Sequence, residues 1–328
     1  MLVKSSYKDD IDGVLLFDKP VGDTSNAVLQ KIKHLLNAKK AGHAGTLDPL
    51  ASGLLPICFG EATKFARYTL NHDKRYQVTA KLGQCTTTCD AEGDIIATSS
   101  ADHINSKLLY SALTRFTGEI LQIPSMYSAL KHHGTPLYKL ARNGIEVERQ
   151  PRKITIYKLE LLAWQDNLIE LDVLCSKGTY IRNLVDDIGK FLNCGAYVTS
   201  LRRIEVGLYK NFKMYTLEEL LELKKQSATA LKNILLPIDS GLSELTKINI
   251  TSLQAQDLYY GKTISLNENN FYNDICISRK LGSCEQLVRL YNANIFIGAA
   301  QIVDDKIIAQ RLLSRLPTSI YDSIENSQ

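Results

Sequence analysis

The stretch "KITIYKLELLAWQDNLIELDVLCSKGTYIRNLVDDIGKFLNCG", residues 153–195, holds two strand patterns followed directly by a helix pattern. Segments 153–164 and 168–176 are rich in β-branched and other apolar residues, and a short polar turn separates them, which predicts two adjacent strands. Over 178–195, apolar residues recur at helical spacing until a closing glycine, which predicts an amphipathic helix. Paired strands followed by a covering helix are typical of the α+β class.

The rest of the chain repeats this mixture without a regular strand–helix–strand alternation. Strand patterns occupy 12–20 and 74–83, and helix patterns occupy 24–36, 105–118 and 216–226. We therefore predict an α+β fold with a mixed, largely antiparallel sheet flanked by helices.

The composition changes near residue 240, which predicts a domain boundary there. We assign residues 1–245 to a main domain that carries a projecting arm at about 124–152. Residues 246–315 form a small β-rich domain, because a short helix pattern is followed by three strand patterns separated by tight turns. The polar residues 316–328 are predicted to be a flexible tail.

The composition excludes several classes of protein. Of 328 residues, 45% are hydrophobic and 23% are charged, as in a soluble globular protein. The seven cysteines form no CxxC pair and have no histidine at zinc-site spacing, so we expect reduced thiols and no metal site. No signal peptide and no apolar run of about 18 residues is present, so we expect a cytoplasmic protein without a membrane partner.

The net charge of +4 is concentrated in one stretch. Residues 124–153 contain six lysines and arginines and two glutamates, which accounts for the whole excess, together with Tyr127, Tyr138 and two histidines. Basic and aromatic side chains on one arm suit contact with the phosphates and bases of a nucleic acid. The alternative is a solvated surface hairpin.

The segment "AGHAGTLDPL", 41–50, offers the most chemistry in the fewest residues. Asp48 precedes a proline, a pattern typical of a turn that leads into a helix, and His43 between glycines is typical of a surface turn. Arg182 lies four residues before Asp186, so its simplest role is a surface ion pair on a helix. Local sequence alone thus favours a structural role for each residue.

Six stretches of the sequence, occurring together in one order, favour a functional role for these residues over a structural one. They are "DGVLLFDKPVGDTS", "AGHAGTLDPLASGLLPICFGEATKF", "DKRYQVTAKLG", "IPSMYSALKHHG", "CSKGTYIRNLVDDIG" and "SLRR". Together they resemble the bacterial tRNA pseudouridine-55 synthase family, TruB, and the resemblance runs from about residue 10 to 313. It includes "VRLYNANIFIGAAQIVDDK", which resembles that family's PUA-like RNA-binding domain. The resemblance implies a pseudouridine synthase fold, with the arm as a mobile thumb.

The resemblance also implies a catalytic set. Asp48 matches the catalytic aspartate of the family, and Arg182 matches the arginine that pairs with it. Tyr76 matches a tyrosine that stacks on the target base and is proposed to act as a base at the ribose. Three roles for Asp48 remain open from the sequence: attack on C1′, attack on C6, or removal of a proton from C2′.

Further residues match positions that contact or support the substrate. His43 matches the residue that fills the space left by the flipped uridine, and Tyr180 matches a tyrosine that contacts the substrate. Leu201 matches an apolar residue of the pocket. Lys19, which we include in the substrate-binding set, and Pro20 match a pair that supports the active site.

The implied reaction is the isomerisation of uridine 55 in the TΨC loop of tRNA, by base flipping. Because nothing is oxidised or reduced, we expect no cofactor and no metal, and we expect a monomer whose partner is the T-arm stem-loop. Two rivals remain: an RNA binder without chemistry, and a hydrolase that releases free uracil.

Overall fold

The computed structural model describes residues 8–128, 130–266 and 286–316. All but the first residue of the predicted tail, 316–328, lies outside them. No helix in the described part of the chain is long and apolar enough to cross a membrane. The cysteines in these ranges are free thiols.

The strands follow the patterns of the sequence, with several additions. They are β1 (Gly13–Lys19), β2 (Ala41–His43), β3 (Ala51–Phe59), β4 (Lys74–Leu82), β5 (Gln84–Thr86), β6 (Ile95–Thr98), β7 (Gly118–Gln122), β8 (Lys131–His132), β9 (Thr135–Pro136), β10 (Arg152–Gln165), β11 (Leu168–Cys175), β12 (Ala196–Val206), β13 (Thr246–Asn249), β14 (Ile264–Ser265), β15 (Gln286–Asn292), β16 (Ile295–Val303) and β17 (Lys306–Leu312).

Eight helices occur in the described ranges. They are α1 (Ser25–Leu35), α2 (Ala66–Leu70), α3 (Ser106–Arg115), α4 (Leu137–Arg142), α5 (Ile181–Phe191), α6 (Leu217–Gln226), α7 (Ala228–Asn233) and α8 (Ser252–Tyr259), with 3₁₀ segments at Gly60–Lys64 and Ser240–Leu242. Five of the eight, α1, α3, α6, α7 and α8, begin at a side-chain cap. The side chains of Thr24, Asn105 and Thr216 each accept a hydrogen bond from a backbone N–H of the helix that they precede.

The main sheet has the strand order β1–β3–β12–β4–β11–β10–β7, with β2 paired to the edge of β3. Its neighbours are antiparallel except β12 and β3, which run parallel. The predicted mixed, largely antiparallel sheet is therefore confirmed. The apolar sides of α1, α3 and α5 join buried residues of this sheet in one hydrophobic core.

A second sheet, with the order β13–β15–β16–β17–β14, has its own core together with α8. Contacts between this sheet and the rest of the chain are specific. The Arg289 guanidinium donates to Asp239 at 2.7 Å, and the Tyr291 hydroxyl donates to the same carboxylate. Phe65 and Phe296 pack edge to face, with ring centroids 5.1 Å apart. An ion pair with Asp239 and an aromatic contact with Phe65 thus hold the second sheet against segments that lie outside both sheets.

One local expectation is wrong: the turn at Asp48 leads into a strand. The Ala51 N–H donates to the Asp48 carbonyl at 3.1 Å, which closes the turn, and β3 begins at once. The apolar run of β3 is buried over nearly its whole length because the strand lies between β1 and β12. This burial outweighs the helix-starting tendency of the Asp-Pro pair.

Gly53 is required where β3 meets β12. Its φ is +97°, and a Cβ at this position would collide with the backbone carbonyl oxygen of Arg203. We expect Gly53→Ala to lower the free energy of unfolding by at least about 2 kcal/mol, because strain and a backbone clash act together. Urea denaturation measures this loss.

Gly178→Ala is the matched control, because Gly178 also has a positive φ, +80°, but has open space where a Cβ would lie. It isolates the cost of the backbone conformation. Equal losses in the two variants would show that the close approach of β3 and β12 contributes nothing.

Candidate active site

Asp48 lies in the turn between β2 and β3, at the mouth of a groove. Its side chain is 38% exposed, so it faces the groove while much of its surface is covered. The carbonyl of the next residue, Pro49, accepts a hydrogen bond from the Gly22 N–H at 2.8 Å. The turn therefore presents the carboxylate from a fixed backbone.

Arg182, at the start of α5, connects four groups with one guanidinium. Its Nε lies 3.0 Å from Asp48 Oδ2, and its Nη1 lies 3.0 Å from Asp90 Oδ2. It also donates to the carbonyls of Thr88 at 3.3 Å and Tyr127 at 2.9 Å. Arg182 is only 6% exposed.

The expected surface pair between Arg182 and Asp186 is not formed. Asp186 instead pairs with Lys190 at 2.6 Å on the same helix. The structure thus brings Asp48 and Arg182 together, as the resemblance implied, although 134 positions separate them in the sequence.

Burial and the neighbouring charges shift the pKa of Asp48 in opposite directions. Burial raises the pKa of Asp48, the Arg182 guanidinium lowers it, the Asp90 carboxylate raises it, and the Lys19 ammonium lowers it. The net direction is upward from 3.8. Arg182 is thus the main group that favours the ionised carboxylate, against a surrounding that favours the neutral acid.

Asp90 is a site residue that the sequence did not reveal. It is 1% exposed, and its Oδ1 accepts hydrogen bonds from the Thr88 hydroxyl and the Glu92 N–H. A carboxylate so buried needs a cation, and Arg182 supplies it. The only local signal is an aspartate in a polar turn, and no spacing connects it with α5.

The groove in front of Asp48 has a volume of about 790 Å³. Its lining includes His43, Asp48 and Arg182 from the main domain. Residues of the arm line the other side: Tyr127, Ser128, Tyr138 and Arg142. The Tyr127 carbonyl that accepts from Arg182 belongs to this arm, so the arm lies over the groove in direct contact with the aspartate's partner.

Tyr76 and Leu201 lie on neighbouring strands, β4 and β12, and neither is among the residues that line the groove. Both are buried, at 7% and 6% exposed. Burial raises the pKa of Tyr76, which the charge of the nearby Arg203 guanidinium opposes. A phenol with a raised pKa stays protonated at neutral pH and cannot take up a proton, so the surroundings favour a packing role for Tyr76 over that of a base.

His43 ends β2 and faces the groove. Burial lowers its pKa, and the Arg203 charge lowers it further, so the imidazole is neutral at pH 7. Its Nδ1 is buried without a hydrogen-bond partner among the described residues. These features suit a side chain that fills space better than one that carries protons.

Tyr180 lies at the start of α5, where its backbone N–H donates to Gln122 Oε1 at 2.8 Å. Burial raises the pKa of its phenol, and the charges of Arg152 and Arg182 oppose this rise. Tyr180 is half-buried and is not among the residues that line the groove.

Lys19 supports the turn from beneath rather than lining the groove. It is fully buried, and its ammonium donates to the carbonyls of Pro20, Pro49 and Ala51 at 2.8, 3.3 and 2.7 Å. Burial lowers its pKa to about 8. Lys19 thus binds the backbone of the turn and is not among the residues that line the groove.

No cluster of three or more metal-ligating side chains occurs in ranges 8–128, 130–266 and 286–316.

Comparisons with known proteins place this chain in a family. A model of the TruB family pseudouridylate synthase N-terminal domain matches residues 33–181, and a model of the tRNA pseudouridylate synthase B C-terminal domain matches residues 182–243. A tRNA pseudouridine synthase B from Tolumonas auensis is 45% identical over 328 residues, covering 97% of each chain. That of Photorhabdus laumondii is 45% identical over 313 residues, covering 93% of this chain and 96% of the relative.

Solved structures share the fold at lower identity. A chain of a Cbf5-Nop10-Gar1 complex superposes with a TM-score of 0.70 at 24% identity, covering 94% of this chain and 86% of the other. A chain of an H/ACA RNP bound to a substrate RNA containing 2′-deoxyuridine gives 0.69 at 21% identity, covering 97% and 95%. These likenesses confirm the predicted fold class.

The raised pKa of Asp48 predicts that its ionised side chain lowers the free energy of unfolding. Because the folded-state pKa exceeds the unfolded value near 3.8, ionisation opposes folding above that pH. We expect Asp48→Asn to raise the free energy of unfolding at pH 7, as is common for strained active sites. The difference shrinks as the pH falls through the raised pKa and is lost below 3.8, where the carboxyl is protonated in both the folded and the unfolded state.

Urea denaturation at a series of pH values measures this difference. Asp166→Asn is the control, because it makes the same chemical change in an exposed turn. A lower stability of Asp48→Asn than of the wild type at pH 7 would contradict the prediction.

Proposed function

This chain belongs to the TruB family of tRNA pseudouridine synthases, and on that premise we propose that Asp48 is its catalytic residue. The enzyme is an isomerase that converts uridine 55 of tRNA to pseudouridine. The N1–C1′ bond of the nucleotide is cleaved, the uracil turns, and a new bond joins C5 to C1′, while C5 loses a proton and N1 gains one. The reaction therefore needs a group that reacts reversibly with the nucleoside and a pocket that keeps the free uracil in place.

The observation that carries the proposal is the pair formed by the buried Arg182 guanidinium and the half-buried Asp48 carboxylate, 3.0 Å apart at the groove. A carboxylate in a covered site tends to become protonated, and an adjacent guanidinium opposes this. The pair supports a carboxylate that is ionised yet poorly hydrated, which suits a nucleophile or a base. The partial burial of an ionised carboxylate is unfavourable in the free protein, and such perturbed groups cluster at functional sites.

We assign the neighbouring side chains by position and chemistry. Tyr76 and Leu201 supply the apolar wall against which the uracil stacks, which keeps it bound after the glycosidic bond is cleaved. His43, neutral and facing the groove, fills the space that the flipped uridine leaves in the RNA. Tyr180 contacts the substrate between α5 and the arm. Lys19 maintains the turn that carries Asp48.

We propose the T-arm stem-loop as the part of tRNA that enters the groove. A loop nucleotide can be turned out at a cost of a few kcal/mol, less than a fully paired base requires. The arm, 124–152, grips the RNA over the groove, and the small domain, 246–315, contacts the RNA backbone. A monomer with one such groove is sufficient for this arrangement, and a cytoplasmic location remains a prediction from the sequence.

Replacement of Asp48 tests the catalytic assignment. We expect Asp48→Asn to form no pseudouridine in unmodified tRNA, because the amide can neither attack carbon nor accept a proton at neutral pH. tRNA affinity should stay within several-fold of the wild type, since the substitution leaves the arm and the groove intact. Mapping of pseudouridine at position 55, together with a filter-binding titration, measures both quantities.

Equal product yields from wild type and Asp48→Asn would refute the assignment. The same reactions separate the two rival functions. An RNA binder without chemistry gives no pseudouridine with the wild type either. A hydrolase releases uracil from a T-arm stem-loop in amounts equal to the enzyme or greater.

The charges of the arm predict a salt effect on binding. Arg142 lines the groove, and its guanidinium lies 5.6 Å from the centre of the Tyr138 ring. We expect replacement of Lys131, Lys139 and Arg142 by Gln to weaken tRNA binding and to reduce the slope of log K against log salt by about 2 to 3, about 1 for each lost phosphate contact.

Replacement of Lys107, Lys225 and Lys232 by Gln is the control, because these lysines are exposed on helices that do not line the groove. It removes the same charge. Equal slopes in the two triple variants would show that the arm is only a solvated hairpin. Arg149 is left unchanged, because it donates to the Pro124 carbonyl at 3.1 Å within the arm.

A further inference from the structure

Arg203 is a buried cation whose partners are backbone carbonyls. It is 1% exposed, and its guanidinium donates to Leu54 at 2.8 Å, Gly45 at 2.9 Å and Thr46 at 3.4 Å. No carboxylate forms an ion pair with it in the part of the chain that the structure describes. A charge removed from water without a counter-ion is costly, so its retention calls for a reason.

The carbonyls that Arg203 binds lie at both ends of the segment that carries Asp48. Gly45 and Thr46 precede Asp48 in the turn, and Leu54 follows it in β3. The rigid Arg203 guanidinium therefore binds the backbone on both sides of Asp48. Gly45 is adapted to this contact, because its φ is +112° and a Cβ there would lie 3.3 Å from the guanidinium.

Arg203 also faces Tyr76. The two residues are directly paired across β12 and β4, so their side chains leave the sheet on the same face. The guanidinium lies near enough to the Tyr76 phenol for its charge to act on the pKa of that group. The same side chain thus bonds the backbone on which Asp48 stands and is the cross-strand neighbour of the ring that we assign to base stacking.

We propose that Arg203 is a positioning residue for the isomerisation, which fixes the Asp48 turn and the Tyr76 ring in one frame. The inference rests on the proposed role of Asp48. Arg203 reaches no groove surface and acts only through these two residues. Its planar fork can bind three carbonyls at fixed angles, which a lysine ammonium cannot reproduce.

Ser25 provides an independent variant for the same idea. It is 2% exposed, and its hydroxyl donates to the Leu47 carbonyl at 2.9 Å and accepts from the Leu47 N–H at 2.8 Å. Leu47 directly precedes Asp48. Ser25 therefore holds the middle of the turn from α1, while Arg203 holds its flanks from β12, and loss of either should displace the carboxylate.

The test compares Arg203→Lys, Ser25→Ala and Asp48→Asn in the full chain. Single-turnover pseudouridine formation with saturating enzyme gives the rate constant, and a separate titration gives the tRNA dissociation constant. We expect the rate constant to fall about 100-fold in Arg203→Lys, the size expected for a misplacement of about 1 Å, and about 10-fold in Ser25→Ala. Dissociation constants should change less than threefold.

Thr216→Ala is the matched control, because Thr216 also bonds the backbone through its hydroxyl, at the N-terminus of α6. It should lower the melting temperature as much as Ser25→Ala does, with an unchanged rate constant. Unfolded molecules reduce the amount of active enzyme but not the rate constant at saturation, so a merely structural role leaves this constant unchanged.

Rate constants of Ser25→Ala and Arg203→Lys within threefold of the wild type would overturn the inference, provided that Asp48→Asn is inactive. If Arg203→Lys does not fold, Ser25→Ala decides alone by the same criterion. An active Asp48→Asn would instead refute the catalytic assignment, and the inference would fall with it.

Discussion

The guanidinium of Arg182 is shared between two carboxylates, Asp48 at the groove and Asp90 in the interior, each 3.0 Å away. Asp90 is almost fully buried and requires the cation for its own sake. This requirement anchors the guanidinium, so that a fixed positive charge stands beside Asp48 whether or not RNA is present. The buried Asp90 carboxylate therefore keeps the positive charge of Arg182 beside the more exposed Asp48 carboxylate.

This arrangement separates support from reaction. Two cations and a hydroxyl, from Lys19, Arg203 and Ser25, bind the backbone of the Asp48 turn, whereas the Asp48 carboxylate itself pairs with Arg182. Arg182 meanwhile donates to the Tyr127 carbonyl of the arm. The residue that sets the charge of Asp48 is thus also in contact with the element that we propose to grip RNA, so arm position and carboxylate environment are physically linked.

The sequence predicts the elements with a clear period. The strands over 153–164 and 168–176 and the helix that follows them are found nearly as expected, because each has one apolar face. β3 and β12 escaped prediction. β3 is buried on both faces, so its pattern shows no alternation, and β12 is interrupted by register shifts against β4.

The site divides in the same way. Asp48, Tyr76 and Arg182 could be proposed from motifs. Asp90 lies in none of the motifs, and Arg203, although part of "SLRR", could not be connected with the Asp48 turn, since both act through contacts between distant segments. A buried charge has no signature in a linear sequence. The partner of a buried charge is known only once the fold is known, because the fold places α5 beside the Asp90 turn and β12 beside the Asp48 turn.

The ionisation of Asp48 itself tests this account most directly. A ¹³C NMR titration of the side-chain carboxyl, with the resonance assigned by its absence in Asp48→Asn, gives the pKa in the wild type and in Arg182→Gln. The account predicts a value above 3.8 in the wild type and a higher one in Arg182→Gln, where the main group that lowers it is lost. An equal or lower pKa in Arg182→Gln would contradict it.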